Sequence, residues 1–211
     1  MCGGGQLEFV KFDHLYAMLN SIVLKDRVTS HMTDEEFFWF CQENKDLRIE
    51  RNSNLEIVIM APVVTLGSFH NSQVSIQLGN WAERDGRGIV FDSSAGFALP
   101  DRSVLSPDAS WVSIAKWDAL SDQDKNRFAP LCPEFVIEIR SKSDELSDLK
   151  GKMSKWISNG AQLAWLLDPI EKKSYIFRPG RATEVVDGFK VKLHGESPVA
   201  GFELDLTKLR V

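Results

Sequence analysis

Two apolar runs bracket one amphipathic segment, Phe135-Val136-Ile137-Glu138-Ile139 before it and Leu163-Ala164-Trp165-Leu166-Leu167 after it. The first is too short and too rich in β-branched and aromatic residues for a helix, so it reads as a buried strand. The second is another continuous apolar strand, stopped by Asp168-Pro169. Between them Leu146, Leu149, Met153, Trp156 and Ile157 share one face at helical spacing. Ser143 and Asp144 introduce that helix, and Asn159-Gly160 ends it, since glycine takes the left-handed conformation of a C-terminal cap. Two covered strands joined by one helix predict a parallel, right-handed crossover inside a sheet flanked by helices. The chain is therefore read as α/β.

The remaining segments are consistent with one such domain. Thr33-Asp34-Glu35-Glu36 is a capping-box pattern opening a helix to about Glu43. Leu47 to Glu50 and Leu55 to Met60 read as a hairpin turning through Asn52-Ser53-Asn54. A helix is expected from about Ser68 to Ala82, with His70 near its start, then short strands around Gly88–Phe91, Gly96–Leu99 and Ala109–Val112. A polar, helix-turn-like insert spans Trp117 to Arg127. After Asp168, Lys173–Phe177, Ala182–Val186 and Phe189–Leu193 alternate with Pro179-Gly180 and Asp187-Gly188, the pattern of an antiparallel meander. Leu15, Met18, Leu19, Ile22 and Val23 fit one face of a helix, so residues 1–30 are expected to form an N-terminal helical arm before a domain at 31–211.

Composition narrows the function classes. A chain of 211 residues suits a single domain with a substantial core. No apolar stretch approaches the roughly 20 residues that cross a bilayer, so no membrane association is expected. The start, Met1-Cys2-Gly3-Gly4-Gly5-Gln6, lacks the basic and apolar regions of a secretory signal. Three cysteines without metal-ligand spacing argue against a disulfide framework and favour a reducing cytoplasm. The net charge of −5 weighs against a broadly basic nucleic-acid surface, yet leaves room for a local patch.

Within this frame Glu138 is the residue that most needs explaining. Alternation places Phe135, Ile137 and Ile139 on one face and Val136, Glu138 and Arg140 on the other. A carboxylate buried there is costly unless a cation, a metal or several donors offset it. Asp108, in Ser106-Pro107-Asp108-Ala109, heads another short apolar run. Two acids on neighbouring strands followed by a basic residue would make a divalent-metal site. The plainer alternatives are an ion pair of Glu138 with Arg140 or with a helix lysine, and a turn-capping role for Asp108. On the helix Lys155 points away from the apolar stripe, while Lys150 and Lys152 border it on opposite sides, and periodicity leaves either of them able to reach the strand ends.

The ordered set resembles the PD-(D/E)xK nuclease superfamily and, more closely, the Uma-two family of putative restriction endonucleases. The likeness rests on Ser106-Pro107-Asp108-Ala109, Phe135 through Asp144, and Lys152-Met153-Ser154-Lys155-Trp156-Ile157-Ser158-Asn159-Gly160-Ala161. Ala164 through Pro169 and Gly201-Phe202-Glu203-Leu204-Asp205-Leu206 also agree, so that it covers roughly residues 32–207. The resemblance implies a restriction-endonuclease-like central mixed sheet flanked by helices. It also implies Asp108 and Glu138 as ligands of Mg²⁺ or Mn²⁺, the Ile139 carbonyl as a further ligand, and Glu50 as an outer carboxylate. The superfamily lysine is replaced by Arg140, and the Uma-two pattern moves it to Lys152 on the following helix. Arginine is almost never deprotonated and is a poor base, though it can stabilise negative charge.

The function expected is a metal-dependent endonuclease acting on DNA, as a homodimer because duplex cleavage needs two active sites. The competing expectation is a non-catalytic nucleic-acid- or protein-binding module that keeps the fold. A hydrolase of another phosphate ester is a third. Glu50 beside Arg48 and Arg51 also reads as an ordinary surface charge, and His70 as either a phosphate contact or a structural histidine.

Overall fold

A computed structural model describes residues 21–24 and 32–210. Its centre is a six-stranded mixed sheet in the order β11-β10-β9-β8-β7-β4. These strands are β4 (Gly88–Asp92), β7 (Ala109–Ser113), β8 (Phe135–Ile139), β9 (Leu163–Asp168), β10 (Lys173–Phe177) and β11 (Glu184–Asp187). Only the β8–β9 pair is parallel, Phe135 facing Leu163 and Ile139 facing Leu167. The expected crossover helix, α5 (Leu146–Ser158), joins them. Gly160, at φ +118°, follows its end in a conformation that side chains resist.

The period-two pattern of β8 divides the core. Phe135, Ile137 and Ile139 pack with Val74, Leu78 and Trp81 of α2 (Thr65–Asp85). Val136 packs on the opposite face with Met153 and Trp156 of α5. β9 divides likewise, Leu163, Trp165 and Leu167 toward α2 and Ala164 and Leu166 toward α5. Both faces of the sheet are thus covered, which is why its central strands are apolar throughout.

A second sheet, in the order β1-β3-β2-β6-β5, carries the hairpin of β2 (Arg48–Arg51) and β3 (Ile57–Met60). Its other members are β1 (Ser21–Leu24), β5 (Phe97–Ala98) and β6 (Val104–Leu105). Helix α1 (Asp34–Glu43) lies over it behind the expected capping box, with Thr33 Oγ1 accepting from Glu36 N and Glu36 Oε2 accepting from Thr33 N. Phe37 of α1 packs with Ile49 and Ile57. Two short helices, α3 (Ile114–Asp118) and α4 (Asp122–Lys125), make the polar insert.

Two expectations need correction. Ile22 and Val23 belong to a strand antiparallel to β3, not to a helical arm, while Leu15, Met18 and Leu19 lie outside the described residues. A four-residue segment at the edge of a sheet gains more from backbone pairing than from a marginal helical stripe. The C-terminal meander also stops at β11. β12 (Lys192–His194) pairs instead with β13 (Glu203–Asp205), and this ribbon packs on α2 before a closing 3-10 helix at Leu206–Leu209. Among the described residues no helix is long and apolar enough to cross a membrane.

Candidate active site

Five elements, β2, α2, β7, β8 and α5, meet where β7 begins and β8 ends. β7 and β8 run antiparallel with Ala109 opposite Ile137, and one further step in that register sets Asp108 across from Glu138. Asp108 Oδ2 accepts the main-chain N–H of Ile139 at 2.8 Å, and Oδ1 accepts from Asn71 Nδ2 of α2 at 3.0 Å. Glu138 lies on the α5 side of the sheet, where its Oε1 accepts from Trp156 Nε1 at 2.9 Å. Lys152, one helical turn before Trp156, brings its Nζ to 2.9 Å from the same oxygen.

Strand β2 supplies the third acid. Its residues alternate, so Ile49 and Arg51 turn toward α1 while Arg48 and Glu50 turn toward β7 and α5. Arg51 is paired with Asp34 and lies 4.8 Å over the Phe37 ring. On the other face Glu50 Oε1 accepts from Ser106 N at 2.9 Å and from Lys152 Nζ at 3.0 Å. The Lys152 ammonium also donates to the Ser106 carbonyl at 3.4 Å. Arg48 Nη2 stands 3.7 Å from Asp108 Oδ1.

Glu50, Asp108 and Glu138 are 6%, 9% and 4% exposed, so three acids share a nearly dry space with two cations. Burial pushes the Glu138 carboxyl up to about 7; Lys152 opposes the rise, and the charges of Asp108 and Glu50 add to it. Asp108 is also raised by burial, against the pull of Arg48, the Ile139 N–H and Lys152. For Lys152 burial favours the neutral amine, but Glu138 and Glu50 outweigh it and hold the ammonium above the ordinary lysine range. Lys152 is therefore a fixed positive charge at neutral pH.

The donor set suits a hard cation. Among the described residues no three of histidine, cysteine, aspartate and glutamate form a ready metal cage. Mg²⁺ and Mn²⁺ do not need one, since they keep several waters and take one or two carboxylates. Glu138 Oε2 makes no hydrogen bond among the described residues, and each Asp108 oxygen accepts a single one. The carboxylates of Asp108 and Glu138, on neighbouring strands, are donors of the kind such an ion takes.

Asp108, Glu138, Ile139, Lys152 and Glu50 are thus brought together, whereas the two accessory candidates are not. Arg140 pairs with Asp168 at 2.8 Å and donates to the Asp144 carbonyl, with no bond to Glu138 among the described residues. Its main-chain N–H continues the ladder to the Leu167 carbonyl, while its side chain is committed to Asp168 at the end of β9. His70 is buried with Nε2 3.0 Å from the Leu209 carbonyl, and burial lowers its pKa, which makes it a structural contact between α2 and the closing 3-10 helix. Lys150 lies 4.1 Å over the Tyr175 ring, and Lys155 reaches Ser53. Of the two bordering lysines it is Lys152 that faces the acids.

Three neighbours carried little sequence signal. Trp156 reads as core, which it is, but its N–H is spent on Glu138. Asn71 has no pattern that would link it to Asp108. Arg48 shares a strand face with Glu50, a period-two relation the sequence does contain.

The sequence pattern of the Uma2 family, described as putative restriction endonuclease, matches residues 34–207. A comparison with curated proteins finds no match. Among solved structures, the crystal structure of a putative nuclease belonging to DUF820 from Anabaena variabilis superposes with a TM-score of 0.67 at 19% identity, covering 84% of this chain and 97% of that one. A cryo-EM structure of a DrdV–DNA complex aligns at a TM-score of 0.37 and 14% identity over 54% of this chain and 9% of the other, too slight a likeness to carry argument. The shared fold with the Anabaena protein agrees with the mixed sheet and its flanking helices, and the family match points to a nuclease. The chain belongs to the Uma2 family of putative restriction endonucleases.

Proposed function

We propose that this chain is a metal-dependent endonuclease that hydrolyses DNA phosphodiester bonds, with Mg²⁺ or Mn²⁺ as cofactor and a homodimer as the working unit in the cytoplasm. The observation that carries the reading is a lysine ammonium held between two buried acids, Glu50 and Glu138, beside a third, Asp108.

Asp108 and Glu138, with the Ile139 carbonyl, would hold the ion. When bound, such an ion polarises a phosphoryl oxygen and makes water a better nucleophile at neutral pH. The protein's own groups do the rest. Because Lys152 is held charged, it acts as a hydrogen-bond donor that stabilises negative charge growing on the phosphate, not as a base. Glu50 and the Ser106 carbonyl fix the direction of its ammonium. Asn71 and the Ile139 N–H hold the Asp108 carboxylate in one orientation. Two such sites, one per protomer, would cut both strands of a duplex.

The test is incubation of supercoiled plasmid with Mg²⁺ or Mn²⁺, using wild type, Glu138→Ala and Lys152→Ala, alongside calorimetric titration of Mn²⁺ into wild type and Asp108→Ala. Nicking by wild type alone, with Mn²⁺ uptake lost in Asp108→Ala, is the expected result. Cutting that persists in both variants would mark a contaminant. Tight DNA binding without cutting under either metal would make the chain a non-catalytic DNA-binding relative.

A further inference from the structure

Among the described residues the Arg48 guanidinium has an ion-pair neighbour, Asp108, but no hydrogen bond. None of its five N–H donors makes a hydrogen bond among the described residues, its buried Nε included. The side chain is 26% exposed, so only part of this group can turn to water. Leaving buried donors unmade is expensive, and a group kept that way has usually been kept for a partner that arrives later. Arg51, three residues along the same strand and on its other face, shows the contrast: it bonds the Arg102 carbonyl and pairs with Asp34.

The surroundings identify the missing partner as an oxyanion. Arg48 Nη2 is 3.7 Å from Asp108 Oδ1, close enough for attraction but beyond hydrogen-bond reach. Asp108 takes its hydrogen bonds from Asn71 and the Ile139 N–H, one at each oxygen, and none from Arg48. Arg48 therefore sits at the rim of the acid cluster, on the strand face it shares with Glu50, with its planar fork uncommitted. A planar fork of donors matches two non-bridging oxygens of a phosphodiester bidentately.

We propose that Arg48 is a substrate-binding residue that grips the DNA phosphate next to the Asp108–Glu138 pair, a second cation working beside Lys152. This rests on the nuclease reading for its substrate, and the test separates the two. Fluorescence anisotropy of a labelled DNA duplex, without divalent metal and across a salt series, is measured for wild type, Arg48→Lys and Arg48→Gln. Cleavage and calorimetric Mn²⁺ uptake are followed in parallel.

Arg48→Gln should bind duplex about tenfold more weakly regardless of sequence, with the salt slope reduced by about one. Arg48→Lys should regain the slope but only part of the affinity, because the charge returns without the fork. Mn²⁺ uptake should stay as in wild type or tighten, since a positive charge has left the neighbourhood of the ligands. If wild type binds DNA but cuts nothing, the nuclease reading fails while the anisotropy arm still decides the fate of Arg48. Unchanged DNA affinity and slope in Arg48→Gln overturn the proposal. So does a variant whose loss of DNA affinity is matched by a loss of Mn²⁺ uptake, which would mean that Arg48 only props Asp108.

Discussion

Lys152 Nζ and Glu138 Oε1 are 2.9 Å apart, the ammonium arriving from a helix and the carboxylate from the strand that precedes it. Lys152 is also the cation nearest Glu50, so its removal strands two buried acids at once. Breaking such a pair costs about 3–5 kcal/mol. Lys152→Ala should therefore lower stability in urea unfolding by that order and cut the single-turnover cleavage rate at least about a hundredfold. Lys150→Ala, which loses only a stacking contact over Tyr175, should change cleavage little and stability by about 1 kcal/mol. Equal loss of cleavage in the two variants would remove Lys152 from the chemistry.

Glu138 should make the metal-free protein less stable as pH rises. Its folded-state carboxyl is pushed up to about 7, from an ordinary value of 4.5. Between those two values the unfolded chain gives up the proton and the folded chain keeps it, so folding stability falls across that interval and levels off above it. Glu138→Gln keeps the shape and an acceptor for Trp156 but carries no charge. In EDTA it should match wild type near pH 4.5 and exceed it at pH 8 by roughly 2–3 kcal/mol. Urea titrations at a series of pH values check this. A variant that is less stable than wild type at pH 8 would mean that Lys152 outweighs the cost of burying the acid.

The parts of this structure that were legible in the sequence are those whose physics is local or periodic. The alternation in Phe135–Ile139 assigns each side chain to a face, and the two core clusters follow that assignment. The capping box at Thr33 and Glu36 fixes the start of α1 in the same way. Val104–Leu105 is too short to show any period, so its strand is visible only through its pairing with Arg51 on one side and Phe97–Ala98 on the other. The β12–β13 ribbon is selected by packing on α2, which no local pattern encodes. Lys150 and Lys152 flank the same stripe, and only the position of β2, contributed by a distant segment carrying Glu50, distinguishes them. Arg140 was open to misreading for another reason: period two gives its face but not its partner, and Asp168 from the end of β9 takes its guanidinium.

Arg140 serves architecture. Its Nη1 pairs at 2.8 Å with Asp168, a wholly buried carboxylate that also accepts the N–H groups of Ile170 and Glu171. Through Nε it donates to the Asp144 carbonyl, tying the β8–α5 loop to the end of β9. Asp168→Ala should cost about 3–5 kcal/mol by removing one partner of a buried pair and two turn hydrogen bonds. At temperatures where the variant is folded, cleavage per folded molecule should stay within about threefold of wild type, because among the described residues neither group contacts Glu138, Asp108 or Lys152. Thermal unfolding followed by cleavage assays normalised to folded protein checks both parts. A collapse in cleavage with stability intact would return Arg140 to the site.

Trp156 offers a way to move the Glu138 carboxyl without touching it. The indole N–H donates to Glu138 Oε1 at 2.9 Å and favours the ionised form. Trp156→Phe removes that donor while leaving an aromatic ring in the core, so the carboxyl should ionise at higher pH than in wild type. The lost hydrogen bond to a charged group and the space vacated by the smaller ring together should cost about 2–4 kcal/mol. If an ionised Glu138 is needed to hold the cation, the acidic limb of the cleavage rate against pH should shift upward by about half a unit to one unit. The rate at high pH should approach the wild-type value, since there the carboxyl is ionised in both proteins. Single-turnover rates at saturating Mn²⁺ over pH 5–9 read the shift directly. A uniform loss of rate with an unmoved limb would assign Trp156 to packing alone.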